Sequence, residues 1–535
     1  MLSKGDFVEL LIEDMSNEGN GIGHASDGMT VFAEGAVVGD LVRVGISDVK
    51  KNYARGKAVK ILKESELRRP EDEICPYIDK CGGCGYGKLK YDAQLRLKEK
   101  AVKDKLQRIG GIDFGDGSCE ILPILGMENP SRYRNKATIA IYGNNVGFRE
   151  KKSNMVVDCK DCLIQNPLAM KAADALRSYI SDKRLEGVFS QAVVRVTNLN
   201  EVMILLYTPQ FMAKQAELKN AGNNRSGKNG KGKDFGGKHG KMSRAVFENK
   251  GSFAKTGAGF KLSEEALEEL SYLLDDATEN QLESIWIDGK LIAGKGTVLA
   301  EMESVSGELR FEISPLSFYQ VNSGQAQKLY EIVSDFAQLK GTETILDLYC
   351  GVGTIGLFLE KTMEAAFAKS QGIDPTDRNF SDIFAKEGGR IVGIESVKPA
   401  VIDANRNATI NHIVNARYFA GKAEDELPFM MGMKKLFKPN EVNEMVERET
   451  EFTVEHADVA VLDPPRAGCD EALLDAVIKA APERIVYVSC DPGTLARDVK
   501  YLSGNGFSLR KVQPVDMFGN TVHVETVVLM SRVKE

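Results

Sequence analysis

The chain has 535 residues, a hydrophobic share of 43% and a formal net charge of −7. That length is too great for one core and predicts roughly three to four structural units, while the acidic balance excludes a generally basic nucleic-acid coat and confines any polyanion contact to a local patch. No uncharged apolar run approaches the about 20 residues of a membrane span, and the opening "MLSKGDFVELL" lacks a signal peptide's apolar core. The expectation is a cytoplasmic protein with no membrane contact. Nine cysteines in such a chain point to metal binding or catalysis rather than to a disulfide framework.

Residues 1–62 alternate short apolar runs ("FVELLIE", "MTVFAEGA", "DLVRVGIS", "GKAVKIL") with turns such as "NEGNGIG". This spacing predicts a small OB-like β-barrel, an architecture that binds oligonucleotides or serves as a structural cap. Residues 63–310 read as an α+β region. It opens with Cys75, Cys81 and Cys84 in the spacing CxxxxxCxxC, with Gly82 and Gly83 freeing the backbone to wrap a metal, and a lysine-rich helix follows over Tyr91 to Arg108. A closed site needs a fourth thiolate, and "VVDCKDCLI" offers Cys159 or Cys162; all-cysteine ligation suits zinc and an iron-sulfur cluster equally. "SRYRNKATIAIYGNNVGFRE" predicts a hairpin carrying basic and aromatic residues. Lys219 to Lys241 holds seven glycines and seven Lys or Arg against one Asp, a composition that cannot bury a core and that predicts a flexible insertion over 219–258.

From residue 311 strands alternate with helices, the signature of a doubly wound, mainly parallel sheet. The expected strands are "ETILDLY", "RIVGIES", "DVAVLDPP", "RIVYVSC" and "VHVETVVLM", with surface insertions over 361–390 and 434–456. After the first strand, Gly351, Gly353 and Gly356 give GxGxxG, which lets backbone turn tightly against a nucleotide. Glu395 ends the second strand, where a carboxylate can accept from ribose hydroxyls. Asp463 ends a further strand with Pro464 and Pro465 stiffening the turn behind it, and Cys490 stands at the exit of "RIVYVSC", before the breaker Pro492-Gly493. A thiol in that position is a nucleophile or a small packing residue. Glu525 in "TVHVETVVLM" is either a buried carboxylate with a raised pKa or one of an alternating, water-facing pair with His523.

The ordered set "FYQVN", "DLYCGVG", "LDPPRAG", "VSCDPGTLARD" and "HVETV", with the upstream cysteines, closely resembles the S-adenosylmethionine-dependent RNA uracil-5 methyltransferases over nearly the whole chain. The resemblance implies a Rossmann-like methyltransferase domain at 311–535, a TRAM domain at the N-terminus and RNA as partner. It also implies a cofactor site of Gln320, Tyr349, Gly351, Gly353, Glu395 and Asp463, with Cys490 as nucleophile and Glu525 as base. The cysteine cluster is typical of the ribosomal-RNA members, so the implied substrate is 23S ribosomal RNA, with transfer RNA as the alternative. The implied metal group is a [4Fe-4S] cluster on Cys75, Cys81, Cys84 and Cys162. A non-catalytic iron-sulfur RNA-binding protein is the competing class, disfavoured by the presence of both Cys490 and Glu525. A monomer is expected.

Uracil chemistry explains the need for these residues. C5 is a poor nucleophile until a thiolate adds to C6 and turns the C5–C6 double bond into an enolate. Methyl transfer then leaves a surplus proton on C5, which a base must remove before the sulfur is expelled. Attack from the ring face requires the target base to be unstacked, and so flipped out of the RNA.

Overall fold

The structure is a computed structural model, described over residues 2–226, 262–439, 445–447 and 452–533. Its first unit is a six-stranded sheet of Phe7–Leu11, Asp14–Met15, Gly21–His24, Thr30–Glu34, Leu41–Val49 and Tyr53–Lys63, in the spatial order first, fifth, sixth, fourth, third, second. Alternation puts Val42, Val44 and Ile46 inside with Leu10, Ile12 and Val31, as expected for a sheet buried on one face. Asp40, fully buried, accepts from Val37 N–H at 2.8 Å and Ser65 N–H at 3.0 Å and pairs with Arg68 at 2.6 Å. The carboxylate thereby ties this unit to the cysteine-bearing segment.

The second unit is a seven-stranded sheet built around Lys136–Tyr142, which pairs with Asn145–Arg149 in the expected hairpin and with Gln191–Val196 on its other edge. Helices Pro167–Asp182 and Glu264–Ala277 cover one face, each started by a side-chain cap, Asn166 and Ser263, that satisfies a free backbone donor. A helix over Pro209–Ser226 takes up the first residues of the expected Gly/Lys-rich insertion; residues 227–258 lie outside the described part.

The third unit is an eight-stranded sheet. Its spatial order is Ala416–Ala420, Arg390–Glu395, Thr344–Leu348, Val459–Leu462, Arg484–Ser489, Glu525–Arg532, Phe507–Val515 and Glu120–Ile121. The first five strands are parallel and Glu525–Arg532 runs antiparallel to its neighbours, confirming the doubly wound, mainly parallel expectation. All five expected strands are present, with one correction: the last begins at Glu525 rather than at Val522, because residues 516–524 form a loop that turns over the sheet end. The expectation of a surface insertion over 361–390 is also corrected. Helix Thr354–Gln371 runs into its first part and, although 369–379 are almost all exposed, Phe367 packs against Phe380 and Phe384 of the helix Phe380–Glu387, all three rings buried. The polar residues there outnumber a small aromatic core without preventing it from forming.

Candidate active site

The topology alone gathers the sheet's functional side chains. From the central strand Thr344–Leu348 the chain moves outward through Arg390–Glu395 and Ala416–Ala420, then returns to the other side with Val459–Leu462. Ligands of such sheets bind at the carboxyl ends of the strands, where the order reverses. Tyr349, Glu395, Asp463 and Cys490 each follow or end a parallel strand at that edge. The antiparallel strand starts where the others finish: Thr526 is opposite Ser489. That single reversal brings Glu525 beside Cys490.

The glycine loop is held by backbone and carboxylate. Tyr349 has φ 67°, and its N–H donates to Ile394 O at 2.9 Å, so the chain leaves the strand through a left-handed turn. Gly351 follows at φ 57° with open space where a Cβ would stand, its nearest atom Phe318 O at 3.9 Å. Gly353, at φ 81°, has no such freedom, since a Cβ would lie 2.9 Å from the Tyr418 ring. One glycine leaves room for a ligand and the other permits helix–strand packing. Glu395 accepts from Gly351 N–H at 3.2 Å with one oxygen and from Val397 N–H at 2.8 Å and the Ser396 hydroxyl at 3.0 Å with the other. These three bonds fix the carboxylate and leave about one of its roughly four acceptor positions for a ribose hydroxyl.

Asp347, fully buried beneath this loop, accepts from Gly356 N–H at 2.9 Å, while its Oδ1 has no partner. Burial pushes its pKa up to about 7. Gln320 is buried on a separate segment, whose backbone is gripped by Asn135: Nδ2 donates to Gln320 O at 3.0 Å and the Asn135 N–H to Val321 O at 2.8 Å. Phe318 stands 58% exposed on the same segment, an apolar lip beside Gly351.

At the reacting end, Cys490 is half-buried. Burial, then the neighbouring Glu525 carboxyl, pushes its thiol up to about 11, while Arg466 opposes them through a hydrogen bond and its charge. Glu525 is 4% exposed, and desolvation followed by the charge of Asp463 raises its pKa well above the usual carboxylate range. The water-facing reading of this strand is therefore set aside. Arg466 also reaches His523, Nη2 to Nε2 at 3.2 Å, and burial with that guanidinium lowers the imidazole to about 4, keeping it neutral and able to accept. Sequence reasoning missed the role of Arg466, although it sits inside the quoted "LDPPRAG".

Two further groups hold these parts in register. Asp498, buried, accepts from Tyr487 O–H at 2.7 Å and Cys469 N–H at 2.8 Å, while Arg497 bonds Ala467 O and Cys469 O at 3.0 and 3.1 Å. Together they pin the Arg466 loop to the helix Pro492–Ser503 that follows Cys490. On the far side, Lys98 is 1% exposed and donates to Asp516 Oδ1 at 2.6 Å, whose other oxygen accepts from Tyr91 O–H at 2.7 Å. This buried pair anchors the loop leading to His523 and Glu525.

Cys75, Cys81, Cys84, Cys159 and Cys162 line one cleft of about 470 Å³. Burial is the main cause that pushes Cys84 up to about 12, and the next largest is the charge of Cys162, ahead of Cys81 and Cys75. Cys159 donates from Sγ to Asp161 O at 3.1 Å and is within electrostatic reach of Cys162, Cys75 and Cys81 but is not among the thiols acting on Cys84. The set nearest Cys84 is therefore Cys75, Cys81 and Cys162. Among the described residues no group of three Cys, His, Asp or Glu could hold a single metal ion: the thiols share a cleft without converging on one point. Several thiols on one cleft are a donor set of the kind that all-cysteine metal groups use. No helix among the described residues is long and apolar enough to cross a membrane.

Comparison with known proteins gives a consistent picture. Residues 375–533 match the family model described as tRNA (Uracil-5-)-methyltransferase, and residues 2–59 match the TRAM domain. A protein of Bacillus cereus named "Uncharacterized RNA methyltransferase" is 32% identical over 100% of this chain and 98% of its own length. A protein of the same description from Caldanaerobacter subterraneus is 35% identical over 99% of this chain and 98% of its own. The crystal structure of Pyrococcus abyssi tRNA (uracil-54, C5)-methyltransferase in complex with S-adenosyl-L-homocysteine superposes with a TM-score of 0.59 at 24% identity, covering 98% of this chain and all of that one.

Proposed function

The chain belongs to the S-adenosylmethionine-dependent RNA uracil-5 methyltransferases, and we propose that, as a cytoplasmic monomer, it methylates C5 of a uridine in 23S ribosomal RNA through a covalent Cys490–C6 adduct. The observation that carries this reading is the meeting of Cys490, Arg466, Asp463 and Glu525 at one sheet edge. S-adenosylmethionine, held by Gln320, Tyr349, Gly351, Gly353, Glu395 and Asp463, supplies an electrophilic methyl group on its sulfonium.

The residues then act in sequence. Cys490 rests as a thiol, and because it is half-exposed its proton leaves to solvent. Arg466 favours the thiolate that remains, and a protonated, neutral Glu525 does not oppose it. Addition of Sγ to C6 pushes the electron pair of the C5–C6 bond toward O4, which takes the Glu525 proton; as C5 accepts the methyl group the C4 carbonyl re-forms and O4 gives that proton up to solvent. The carboxylate so formed is the base that removes the C5 proton once the methyl group is attached. The returning electron pair expels Sγ and restores the ring. Cys75, Cys81, Cys84 and Cys162 would hold a [4Fe-4S] cluster; methyl transfer uses no electrons, so the group would serve to position RNA or to brace the fold.

The test offers 23S ribosomal RNA and tRNA transcripts with radiolabelled S-adenosylmethionine. The expected result is label in 23S RNA, recovered as 5-methyluridine. Label confined to tRNA would replace the ribosomal substrate by the one that the family description names, and label at another atom would overturn the chemistry.

A further inference from the structure

The central sheet carries a charge arrangement that the methyl-transfer chemistry does not use. Lys136 and Arg195 are directly opposed in the antiparallel pair of Lys136–Tyr142 with Gln191–Val196, so two cations project from the same face at adjacent positions. Like charges so placed destabilise a sheet. Arg134, two residues before Lys136 and bridged through its backbone to Gln165, adds a third. Both guanidiniums act on the Lys136 ammonium, which burial and their repulsion together lower to about 8.

None of the three has an ion-pair partner among the described residues. Arg195 is 2% exposed, and the hydrogen bond its guanidinium makes within the chain runs from Nη2 to Ser317 O at 2.7 Å. Burial lowers its pKa to about 10 against modest help from Tyr319 and Asp403. Arg134 donates from Nε to Lys136 O at 3.2 Å. Asp403 acts on Arg195 and Arg134 acts on the Cys84 thiol, whereas the influences on Lys136 are burial and the two guanidiniums alone; a partly desolvated ammonium so placed is suited to receive an anion, since unpaired buried charge is otherwise costly.

The position says which anion. Arg195 donates to Ser317 O, and Asn135, between Arg134 and Lys136, donates to Gln320 O and Val321 O. The cations therefore border both ends of the segment that carries Phe318 and Gln320. Arg134 is also within electrostatic reach of His523. We propose that Lys136, with the charge of Arg134 and of the buried Arg195 added to its own, receives a phosphodiester of the RNA strand next to the flipped uridine. The proposal rests on the RNA substrate argued above. A phosphate there would neutralise the cluster and fix the backbone from which the target base swings into the site.

The test uses the full chain and two independent probes. A labelled 12-nucleotide oligouridylate reports binding by anisotropy as salt is varied, and a 23S RNA transcript reports methylation. Lys136→Gln should weaken oligouridylate binding about three- to tenfold and flatten the slope of log affinity against log salt by about 0.7, the loss of one single-strand phosphate contact. Lys136→Arg should restore both, and Lys479→Gln, on a distant helix, should change neither. Affinity for S-adenosylmethionine should be unchanged in all. An unaltered slope in Lys136→Gln overturns the site. A fall in S-adenosylmethionine affinity instead would assign the cations to the cofactor's carboxylate and overturn it equally. If wild-type protein leaves the transcript unmethylated, the substrate reading fails while the oligouridylate slopes still decide the phosphate site.

Discussion

Cys490 and Cys84 are the same residue in two surroundings. Burial raises both thiols, to about 11 and about 12. At Cys490 the next influences are single charges of opposite sign, Glu525 and Arg466, so the balance can be tipped by moving one proton. At Cys84 the next three influences are other thiols, Cys162, Cys81 and Cys75, against one guanidinium, Arg134. Thiolates there repel one another, and only a permanent multivalent cation can hold all of them ionised. One sulfur is arranged to ionise briefly and the other group to ionise together or not at all.

The comparison breaks first at Cys490. Cys490→Ala should abolish methylation while leaving iron content and S-adenosylmethionine binding intact, and a rate within about tenfold of wild type would remove the covalent role. Glu525→Gln should slow turnover by about 10²–10⁴-fold and accumulate RNA linked to protein on a denaturing gel. Slow turnover with no adduct would place Glu525 before the addition step rather than after it.

Much of the catalytic half is legible in order along the chain, because strand, turn and functional residue are adjacent: "ETILDLY" leads to its glycines, "RIVGIES" contains Glu395, "RIVYVSC" contains Cys490. What the sequence hides is the meeting of distant parts. Nothing local in "HVETV" says that Glu525 begins an antiparallel strand, and it is that direction which puts it beside Ser489 and Cys490. The opposition of Lys136 to Arg195 is hidden for the same reason, being a matter of register between strands. The cysteine spacing is readable, whereas the difference between Cys159, whose Sγ donates to Asp161 O, and Cys162, which acts on Cys84, lies in how the chain folds back on the cleft. Edge strands such as Glu120–Ile121 escape notice because two residues carry no period.

Lys98 joins the two regions, its charge acting on Cys84 and on His523 while it pairs with Asp516. Lys98→Met leaves the Asp516 carboxylate buried without its cation and should cost about 3–5 kcal/mol of stability, measured by denaturant unfolding. The companion change Asp516→Asn with Lys98→Met should recover part of that loss. If the single variant is as stable as wild type, the loop before Glu525 is held by something other than this pair.

The smallest effect sharpens the contrast most. Alkylation of Cys490 by iodoacetamide, followed by mass spectrometry of its own peptide, should rise with pH and show no plateau through pH 9, since its thiol titrates near 11. Removing the one nearby cation with Arg466→Ala raises that pKa further, so the thiolate fraction, and with it the rate at pH 8, should fall about three- to tenfold. In the same sample the Cys84 peptide should respond to removal of iron by a chelator and not to Arg466→Ala, because its ionisation is set by its sulfur neighbours. A Cys490 rate indifferent to Arg466 would mean that the guanidinium serves His523 alone, and the ionisation of the nucleophile would then have to come from the RNA itself.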